Sequence, residues 1–346
     1  MTSLAVAIVQ GGPSSEAFVS RASAESVRAA LASVGHSVTC VELDASTSEI
    51  LRDGSFDVVF PLTHGAFGED GCLQGLIEVL GLPYVGANVL ASALAMRKPI
   101  AKIVFASAGL PLAKGLSVRR GEAPTPVLAE RALREIGARL VVKPAANGSA
   151  IGVARLDEGA SVRDVAEAID AAFGVDDEAL IEHFAKGREV TCGVLDLHPE
   201  VRATCALSVV STATAPVALP PTEVVAPNDA FYTYEARYAP GRSQHSCPAL
   251  LSPTAYARVQ DVAIRAHVAL GARDLCRADF VVGDVGDPDA VTLLEVNTLP
   301  GFTATSLFPE AAGVLGVALP TLCDLLVKSA LRRGPTLRNV AKLLPK

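Results

Sequence analysis

The stretch LLEVNTLPG, residues 293–301, places an acid and an amide inside an apolar run that is typical of a buried strand. In a β-strand, side chains two residues apart share a face. We therefore expect Glu295 and Asn297 to point the same way, while Leu294 and Val296 point into the core. Such a polar pair indicates either a ligand site or a solvated strand face.

A second stretch, CRADFVV at residues 276–282, has the same rhythm and places Arg277 and Asp279 on one face. Residues 283–290 read as a turn-rich connector between the two stretches. If the stretches pair as antiparallel neighbours, Asp279 converges with the acid and the amide of the first one. Two carboxylates and an amide oxygen form a hard ligand set that suits Mg²⁺ or Mn²⁺ shared with substrate phosphates. The alternative is a surface hairpin whose polar face is solvated.

The composition limits the class of protein. The 346 residues are enough for two or three domains, and 50% hydrophobic with 19% charged residues indicates a globular chain. A net charge of −7 argues against a nucleic-acid partner.

The seven cysteines form no C-x-x-C pair, which indicates reduced thiols rather than disulfides or a zinc site. No basic segment precedes the first apolar run and the longest uncharged run contains three prolines, so we expect a cytoplasmic protein without a membrane span.

The first ninety residues alternate apolar runs with a helical rhythm, at residues 4–9, 19–34, 38–43 and 58–62. This order predicts an open α/β sheet of the βαβ type. A second α/β block follows to about residue 185. The remainder mixes strands with a long irregular stretch at residues 220–253, which contains FYTYEARY at residues 231–238. Long ordered loops tend to be functional, so this segment either covers an active site or packs its tyrosines onto the domain.

Two loops follow predicted strands and carry candidate ligand groups. Lys143 ends an apolar strand and precedes the loop NGSAIG at residues 147–152, whose backbone N–H groups could close over phosphates. No P-loop motif occurs, and an ordinary hairpin is the alternative. His64 lies at the carboxyl end of a strand, where open α/β sheets bind ligands, although a lone histidine there is more often structural than catalytic. GGPSSE at residues 11–16 lacks the G-x-G-x-x-G of a Rossmann oxidoreductase and is also compatible with a capped helix start.

In chain order these motifs resemble the ATP-grasp enzymes, and among them the D-alanine:D-alanine ligase family. The stretches that carry the resemblance cover nearly the whole chain and are VQGGPSSEAFVS (9–20), PLTHGAFGEDGCLQG (61–75), PYVGANVLASALAMRK (83–98), VVKPAANGSAIGV (141–153), IEHFAKGREVTCGVL (181–195), FYTYEARYAPG (231–241), RADF (277–280) and LLEVNTLPGFTATSLFP (293–309).

The resemblance implies a fold and a reaction. The fold would be an open parallel-sheet N-terminal domain over residues 1–90, followed by a two-domain ATP-grasp fold of α+β character. Its central lid domain would span residues 91–185, and its C-terminal domain residues 186–346 with an active-site loop at 220–250. In the reaction, ATP phosphorylates the carboxylate of one D-alanine, and the amine of a second D-alanine then attacks the acyl phosphate. A homodimer is also implied.

The resemblance assigns the nucleotide and metal site by matching motif positions. Two Mg²⁺ or Mn²⁺ ions would be held by Asp279, Glu295 and Asn297, with Glu295 shared by both ions. The ATP-binding positions are Lys98 and Lys143 at the phosphates, Gly148 and Ser149 in the loop above them, Glu182 near the adenine and Glu189 at the ribose.

The amino-acid substrates would meet a second set of matched residues. Glu16 would pair with the first ammonium group, and Arg277 would steady the oxyanion of the tetrahedral intermediate. Glu16, Ser149 and Tyr238 resemble a hydrogen-bonded catalytic group that closes around the reaction. The other positions implied in substrate binding are His64, Gly301, Ser306 and Leu307, of which the last two match the site for the second carboxylate.

Four positions depart from the family pattern. Ala150 stands where a second serine is common, Arg97 replaces an acid beside Lys98, Phe18 replaces the second acid after Glu16, and Arg237 replaces a lysine. None of them removes a predicted metal ligand. Because Tyr238 matches the dipeptide-forming members, the resemblance implies a dipeptide product rather than the D-lactate ester. The alternatives are a D-serine acceptor, a ligase for other amino acids, and a nucleotide-binding regulatory protein that has lost the chemistry.

Overall fold

The computed structural model describes residues 3–148, 150–206, 208–225, 244–284, 286–303 and 305–335. The helices in these ranges are α1 (Ala17–Ser33), α2 (Thr47–Asp53), α3 (Cys72–Leu80), α4 (Val89–Met96), α5 (Lys98–Ser107), α6 (Thr125–Ile136), α7 (Val162–Phe173), α8 (Pro199–Arg202), α9 (Ser208–Ser211), α10 (Pro253–Leu270), α11 (Leu307–Val314) and α12 (Leu319–Arg333). The strands are β1 (Ala5–Gln10), β2 (Ser37–Glu42), β3 (Val58–Pro61), β4 (Gly115–Arg119), β5 (Leu140–Pro144), β6 (Ala154–Leu156), β7 (Glu178–His183), β8 (Arg188–Asp196), β9 (Val217–Ala218), β10 (Thr222–Val225), β11 (Gln244–Ser246), β12 (Asp274–Asp284) and β13 (Asp287–Asn297).

The first sheet is parallel and has the order β2-β1-β3, which confirms the predicted open α/β sheet. Its central strand is buried on both faces, as the continuous apolar run of a parallel strand requires. Val6 and Ile8 pack on one side with α1, whereas Ala7 and Val9 pack on the other side in the core that contains Leu73 of α3. The carboxyl ends of β1 and β3 lead directly into the loops that carry Glu16 and His64.

The second sheet, β4-β7-β5-β6, is antiparallel and has its own core. The helices α6 and α7 pack on it through residues such as Leu128 and Ile169. Ser161 and Asp164 form a reciprocal capping box that fixes where α7 begins. Strand β5 ends after Lys143, so the loop predicted to close over phosphates starts at the edge of this sheet.

The third sheet has the order β11-β10-β8-β12-β13, with β9 paired to β8. Strands β12 and β13 form the predicted antiparallel hairpin, in which Arg277 lies opposite Asn297 and Asp279 opposite Glu295. The connector is shorter than predicted, because the strands continue to Asp284 and resume at Asp287. The stretch predicted to be irregular at residues 220–253 contributes β10 and β11, while the FYTYEARY segment lies outside the described residues.

A bulge follows the Asp279–Glu295 pair. The next pair joins Phe280 to Leu293, so Leu294 is an extra residue on β13. The prediction that Leu294 points into the core is therefore wrong: Leu293 is fully buried and Leu294 only partly. The bulge leaves Glu295 opposite Asp279 while the apolar residues before it stay in the core.

The largest core is shared by the first sheet and the C-terminal part of the chain. Ile8 and Phe60 pack in it with Phe302, Phe308 and Leu326. The rings of Phe60 and Phe302 meet edge to face, with centroids 5.6 Å apart. In the described ranges, no helix by itself is long and apolar enough to cross a membrane, although α11 and α12 meet that test as a bent pair.

Asp274 joins β12 to the segment that follows the first sheet. Its fully buried carboxylate accepts hydrogen bonds from the Gly86 backbone N–H at 2.8 Å and from both terminal nitrogens of Arg333 at 2.6 and 2.8 Å. Arg333 also donates to the Tyr84 carbonyl at 2.7 Å. This ion pair therefore fixes the Tyr84–Gly86 segment to both β12 and the end of α12.

Replacing Asp274 by Ala should lower the free energy of unfolding by about 3–5 kcal/mol, because the Arg333 guanidinium and the Gly86 N–H lose their buried partner. Urea denaturation measures the difference. Asp261→Ala, which removes the exposed Asp261–Arg265 pair, is the matched control and should cost under ~1 kcal/mol. Equal effects of the two substitutions would contradict this role of Asp274.

Candidate active site

One cavity of about 300 Å³ collects residues from all three sheets. The predicted site residues that line it are Glu16, His64, Lys98, Gly148, Arg277, Glu295, Asn297, Gly301, Ser306 and Leu307. They come from the loops after β1, β3 and β5, the start of α5, the β12–β13 hairpin and the start of α11. The cavity therefore lies where the first sheet, the second sheet and the C-terminal hairpin meet.

Four predicted residues among those described do not line this cavity, namely Lys143, Glu182, Glu189 and Asp279. Asp279 lies beside the cavity, opposite Glu295 on the hairpin. Glu189 lies on β8, where it pairs with Val281 of β12. Ser149 and Tyr238 lie outside the described residues.

Asp279 and Glu295, the two predicted metal-binding carboxylates, each have a cationic neighbour. The Arg277 guanidinium donates to both oxygens of Asp279, at 2.7 and 2.8 Å. The Lys98 ammonium lies 3.5 Å from Glu295 Oε2 and donates to the Asn147 carbonyl at 2.5 Å. Lys98 thus connects the hairpin to the loop after β5.

The oxygen donors on the hairpin fit a hard divalent cation. Asp279, Glu295 and the Asn297 amide share one end of the two strands, and a carboxylate oxygen that accepts one hydrogen bond keeps a second lone pair. Among the described residues, no three His, Cys, Asp or Glu side chains are grouped closely enough to hold a metal alone. This arrangement fits Mg²⁺, which typically binds one or two carboxylates and completes its coordination with substrate phosphates and water.

A buried Lys102–Glu182–Lys143 cluster lies next to the cavity, and Lys102 was not among the residues predicted from the sequence. Glu182 accepts from Lys102 at 2.8 Å through one oxygen and from Lys143 at 2.5 Å through the other. Lys102 also donates to the Leu293 carbonyl at 3.0 Å, which connects β13 to the second sheet. The sequence contains one indication of Lys102: it follows Lys98 by four residues, a spacing that places both lysines on one face of α5.

Burial and the neighbouring charges act on the cluster in opposite directions. Burial raises the pKa of Glu182, but the charges of Lys143 and Lys102 outweigh it and leave that pKa below its ordinary value. Burial lowers the pKa of Lys102 below its ordinary value. Burial also lowers the pKa of Lys143, but the Glu182 and Glu295 carboxylates outweigh it and raise that pKa above its ordinary value. Two lysine side chains thus share one buried carboxylate beside the cavity.

His64 presents an unused ring nitrogen within the cavity. The side chain is buried and its Nδ1 lies 3.7 Å from Glu69 Oε1, whereas Nε2 has no hydrogen-bond partner among the described residues. Burial lowers the pKa of His64, but the Glu69 and Glu16 carboxylates outweigh it and raise the pKa above 6.5. A raised pKa favours the protonated imidazole, whose Nε2–H is a donor.

The N-terminus of α11 forms the opposite wall. Ser306 is its N-cap residue, and its Oγ accepts from the Thr303 N–H at 2.8 Å rather than from the helix. The first N–H groups of a helix and its dipole favour an anion at such an end. Gly301 leaves room for Ser306, since a β-carbon at this position would lie 2.8 Å from Ser306 Oγ and that hydroxyl would have to move.

Glu16 lies just before α1 and is buried. It makes no capping bond to the helix, so the interpretation of this stretch as a simple helix start does not explain it. The loop after β5 approaches Glu16 closely, because a β-carbon at Gly148 would lie 3.1 Å from Glu16 Oε2. The first and second sheets therefore meet at this carboxylate.

The departures from the family pattern have separate explanations. Arg97 donates to Glu178 of β7 at 2.5 Å and so ties the start of α5 to the second sheet. Phe18 is 53% exposed at the cavity. Ala150 adopts a left-handed φ of 57°, a conformation that costs an L-residue roughly 1–2 kcal/mol. Arg237 lies outside the described residues.

Replacing Lys102 by Met should lower the free energy of unfolding by about 1–3 kcal/mol, because the buried Glu182 carboxylate and Leu293 carbonyl each lose a donor. The matched control is Lys114→Met at an exposed site, which should change it by less than about 0.5 kcal/mol. Urea denaturation compares the two variants. If Lys102→Met left the free energy of unfolding unchanged, Lys102 would not be needed to stabilise the cluster.

Comparisons with known proteins identify the family. The family model described as the D-ala D-ala ligase C-terminus matches residues 104–328, and the one described as the D-ala D-ala ligase N-terminus matches residues 45–87. A D-alanine--D-alanine ligase of Granulibacter bethesdensis is 40% identical over 332 residues, covering 95% of this chain and 98% of the relative. The corresponding protein of Geobacter sulfurreducens is 40% identical over 307 residues, covering 89% and 87%.

Solved structures give the same result for the fold. The D-alanine-D-alanine ligase from Coxiella burnetii superimposes with a TM-score of 0.77 at 26% identity, covering 98% of both chains. The one from Bacillus anthracis gives a TM-score of 0.76 at 26% identity, covering 96% of this chain and 98% of that one. The predicted ATP-grasp fold and the resemblance in sequence are thereby confirmed. The chain belongs to the D-alanine–D-alanine ligase family.

Proposed function

We propose that the protein joins two D-alanine molecules into D-alanyl-D-alanine at the expense of ATP, for the synthesis of peptidoglycan precursors. The observation that carries this proposal is a cavity in which an acid, a histidine, cationic side chains, hard oxygen donors and a helix N-terminus converge. A ligation through an acyl phosphate needs each of these groups. The ammonium and carboxylate groups of two amino acids and the phosphates of one nucleotide must be bound together.

The first step transfers the γ-phosphoryl group of ATP to a carboxylate oxygen of the first D-alanine, which leaves ADP. This transfer brings several negative oxygens together, so fixed cations lower its barrier. Lys98 already lies at the hairpin, and Lys143 is oriented by Glu182. We assign both ammonium groups to the phosphates. Glu182 and Glu189 then face the adenine and the ribose, and the Gly148–Ser149 loop covers the phosphates.

The family implies two Mg²⁺ or Mn²⁺ ions, which Asp279, Glu295 and Asn297 would hold, with Glu295 shared. When bound, such ions offset the negative charge of the phosphates. The protein's own contribution is the hairpin register, which places the two carboxylates opposite each other.

In the second step, the amine of the second D-alanine attacks the acyl carbon, and inorganic phosphate leaves as the amide bond forms. We assign Glu16 to the ammonium of the first D-alanine and the unpartnered His64 Nε2 to substrate binding beside it. Arg277 donates to the oxyanion that forms during attack. The start of α11, with Ser306 and Leu307, binds the second carboxylate. Gly301 permits the close approach of the chain there.

Water must be excluded, because it would hydrolyse the acyl phosphate. We propose that Ser149 and Tyr238 close over the site together with Glu16, as their motif positions imply. We also propose that the enzyme works in the cytoplasm as a homodimer, which follows from the resemblance. A nucleotide-binding protein without chemistry is not favoured, since the described catalytic and metal-binding side chains are all present and most share one cavity.

Incubation with ATP, Mg²⁺ and D-alanine should yield D-alanyl-D-alanine and one phosphate per dipeptide, identified by mass spectrometry. Glu295→Gln should lower turnover by about 100-fold or more, because one charge shared by two cations is lost. Phe18→Ala at the rim of the same cavity is the matched control. Absence of dipeptide from the wild type would overturn the proposed function, and near-normal turnover of Glu295→Gln would overturn the role of Glu295.

The presence of Tyr238 predicts that D-alanine is a better acceptor than D-lactate at neutral pH. Phosphate release is measured with D-alanine as donor and D-alanine, D-serine or D-lactate as acceptor. D-serine differs from D-alanine by one hydroxyl, so a discrimination of only about 100-fold or less is expected between them. Faster turnover with D-lactate would contradict the dipeptide assignment.

A further inference from the structure

Glu69 is a cavity residue that has no role in the proposed reaction. It lies in the loop after β3, and its side chain is 12% exposed. One carboxylate oxygen accepts from the Gly65 N–H at 2.8 Å, and the other lies 3.7 Å from His64 Nδ1. The second oxygen also faces the Asn297 amide at the end of β13.

The neighbours of Asn297 select one of its two amide orientations. With Nδ2 toward the loop after β3, the amide donates to Glu69 Oε1 at 3.2 Å, and Oδ1 accepts from Arg277 Nη2 at 3.1 Å. In the opposite orientation the amide oxygen would face a carboxylate oxygen, and the amide N–H₂ would face the guanidinium. Both contacts would then be repulsive, so the two charged residues together fix the orientation.

We propose that Glu69 is a positioning residue, which holds the Asn297 amide so that its oxygen is presented on the side of Arg277 and the two hairpin carboxylates. This inference rests on the proposed function, because it concerns the use of Asn297 as a metal ligand. An amide can coordinate a cation only through its oxygen. Hydrogen bonds that orient a ligand from behind typically contribute 10–100-fold to metal affinity.

The neighbouring Asp70 braces the same loop without reaching Asn297, so it provides a control for the loop-bracing part of Glu69. Asp70 accepts from the backbone N–H groups of Phe67 at 2.8 Å and Cys72 at 3.0 Å. It therefore holds the loop against the start of α3, and it does not line the cavity. Glu69 and Asp70 are adjacent acids of the same loop, of which Glu69 contacts Asn297.

The first test measures Mn²⁺ binding in the presence of ADP by electron paramagnetic resonance of the free ion. Glu69→Ala should weaken Mn²⁺ binding by about 10-fold, whereas the matched control Asp70→Ala should bind Mn²⁺ like the wild type. Equal Mn²⁺ affinity of Glu69→Ala and wild type would overturn the inference, as would an equal loss in both variants.

A second test asks whether Mn²⁺ binding becomes stronger or weaker, and it uses no Ala variant, so it does not depend on the folding of one. Asn297→Asp places a carboxylate opposite Glu69, so the two acids repel each other. Glu69→Gln in this background should then strengthen Mn²⁺ binding by about 3-fold or more, whereas Glu69→Gln alone should not strengthen it. If Glu69→Gln changed Mn²⁺ affinity in the same direction in the wild type and in the Asn297→Asp variant, Glu69 would not act through the Asn297 amide.

The outcomes separate the inference from the proposed function. If the wild type forms dipeptide while substitutions at Glu69 leave Mn²⁺ affinity unchanged, the inference fails and the function stands. If the wild type forms no dipeptide but the sign reversal is observed, the function fails and the positioning of Asn297 by Glu69 stands.

Discussion

The antiparallel register of β12 and β13 is the constraint on which the site depends. Because Asp279 lies opposite Glu295 and Arg277 opposite Asn297, four polar side chains meet at one end of a hairpin whose remaining residues are largely buried. A slip by one residue would turn these groups to the other face. The bulge at Leu294 lets the apolar part of β13 pack in the core without moving the acid away from its partner.

This hairpin becomes an active site only because two other parts of the chain are fixed against it. The shared core around Phe60 and Phe302 joins the first sheet to the C-terminal part, and the buried Asp274–Arg333 pair joins the same regions through hydrogen bonds. Lys102 connects the hairpin to the second sheet through Leu293 and Glu182. The groups assigned to ammonium, carboxylate and phosphate can therefore converge although they come from distant parts of the chain.

The hairpin and the parallel sheet could be predicted because strand periodicity is a local property of the sequence. Glu295, Asn297 and Asp279 were found in this way, and the family motifs supplied their roles, which stay predictions. The bulge at Leu294 was not predictable, since neither glycine nor proline marks it. Lys102 was missed because a lysine on an amphipathic helix is usually solvated, and its burial depends on Glu182 far along the chain. Glu69 was missed for the same reason, since its role requires knowing that Asn297 lies opposite it.

The most direct test of the central claim is a crystal structure with Mn²⁺ and ADP, in which anomalous scattering locates the ions. The account predicts that Mn²⁺ binds at the open end of the hairpin, with Glu295 oxygens at about 2.0–2.2 Å and the Asn297 amide oxygen as a further ligand. Ions bound away from Glu295, or a hairpin whose register separates Asp279 from Glu295, would contradict it.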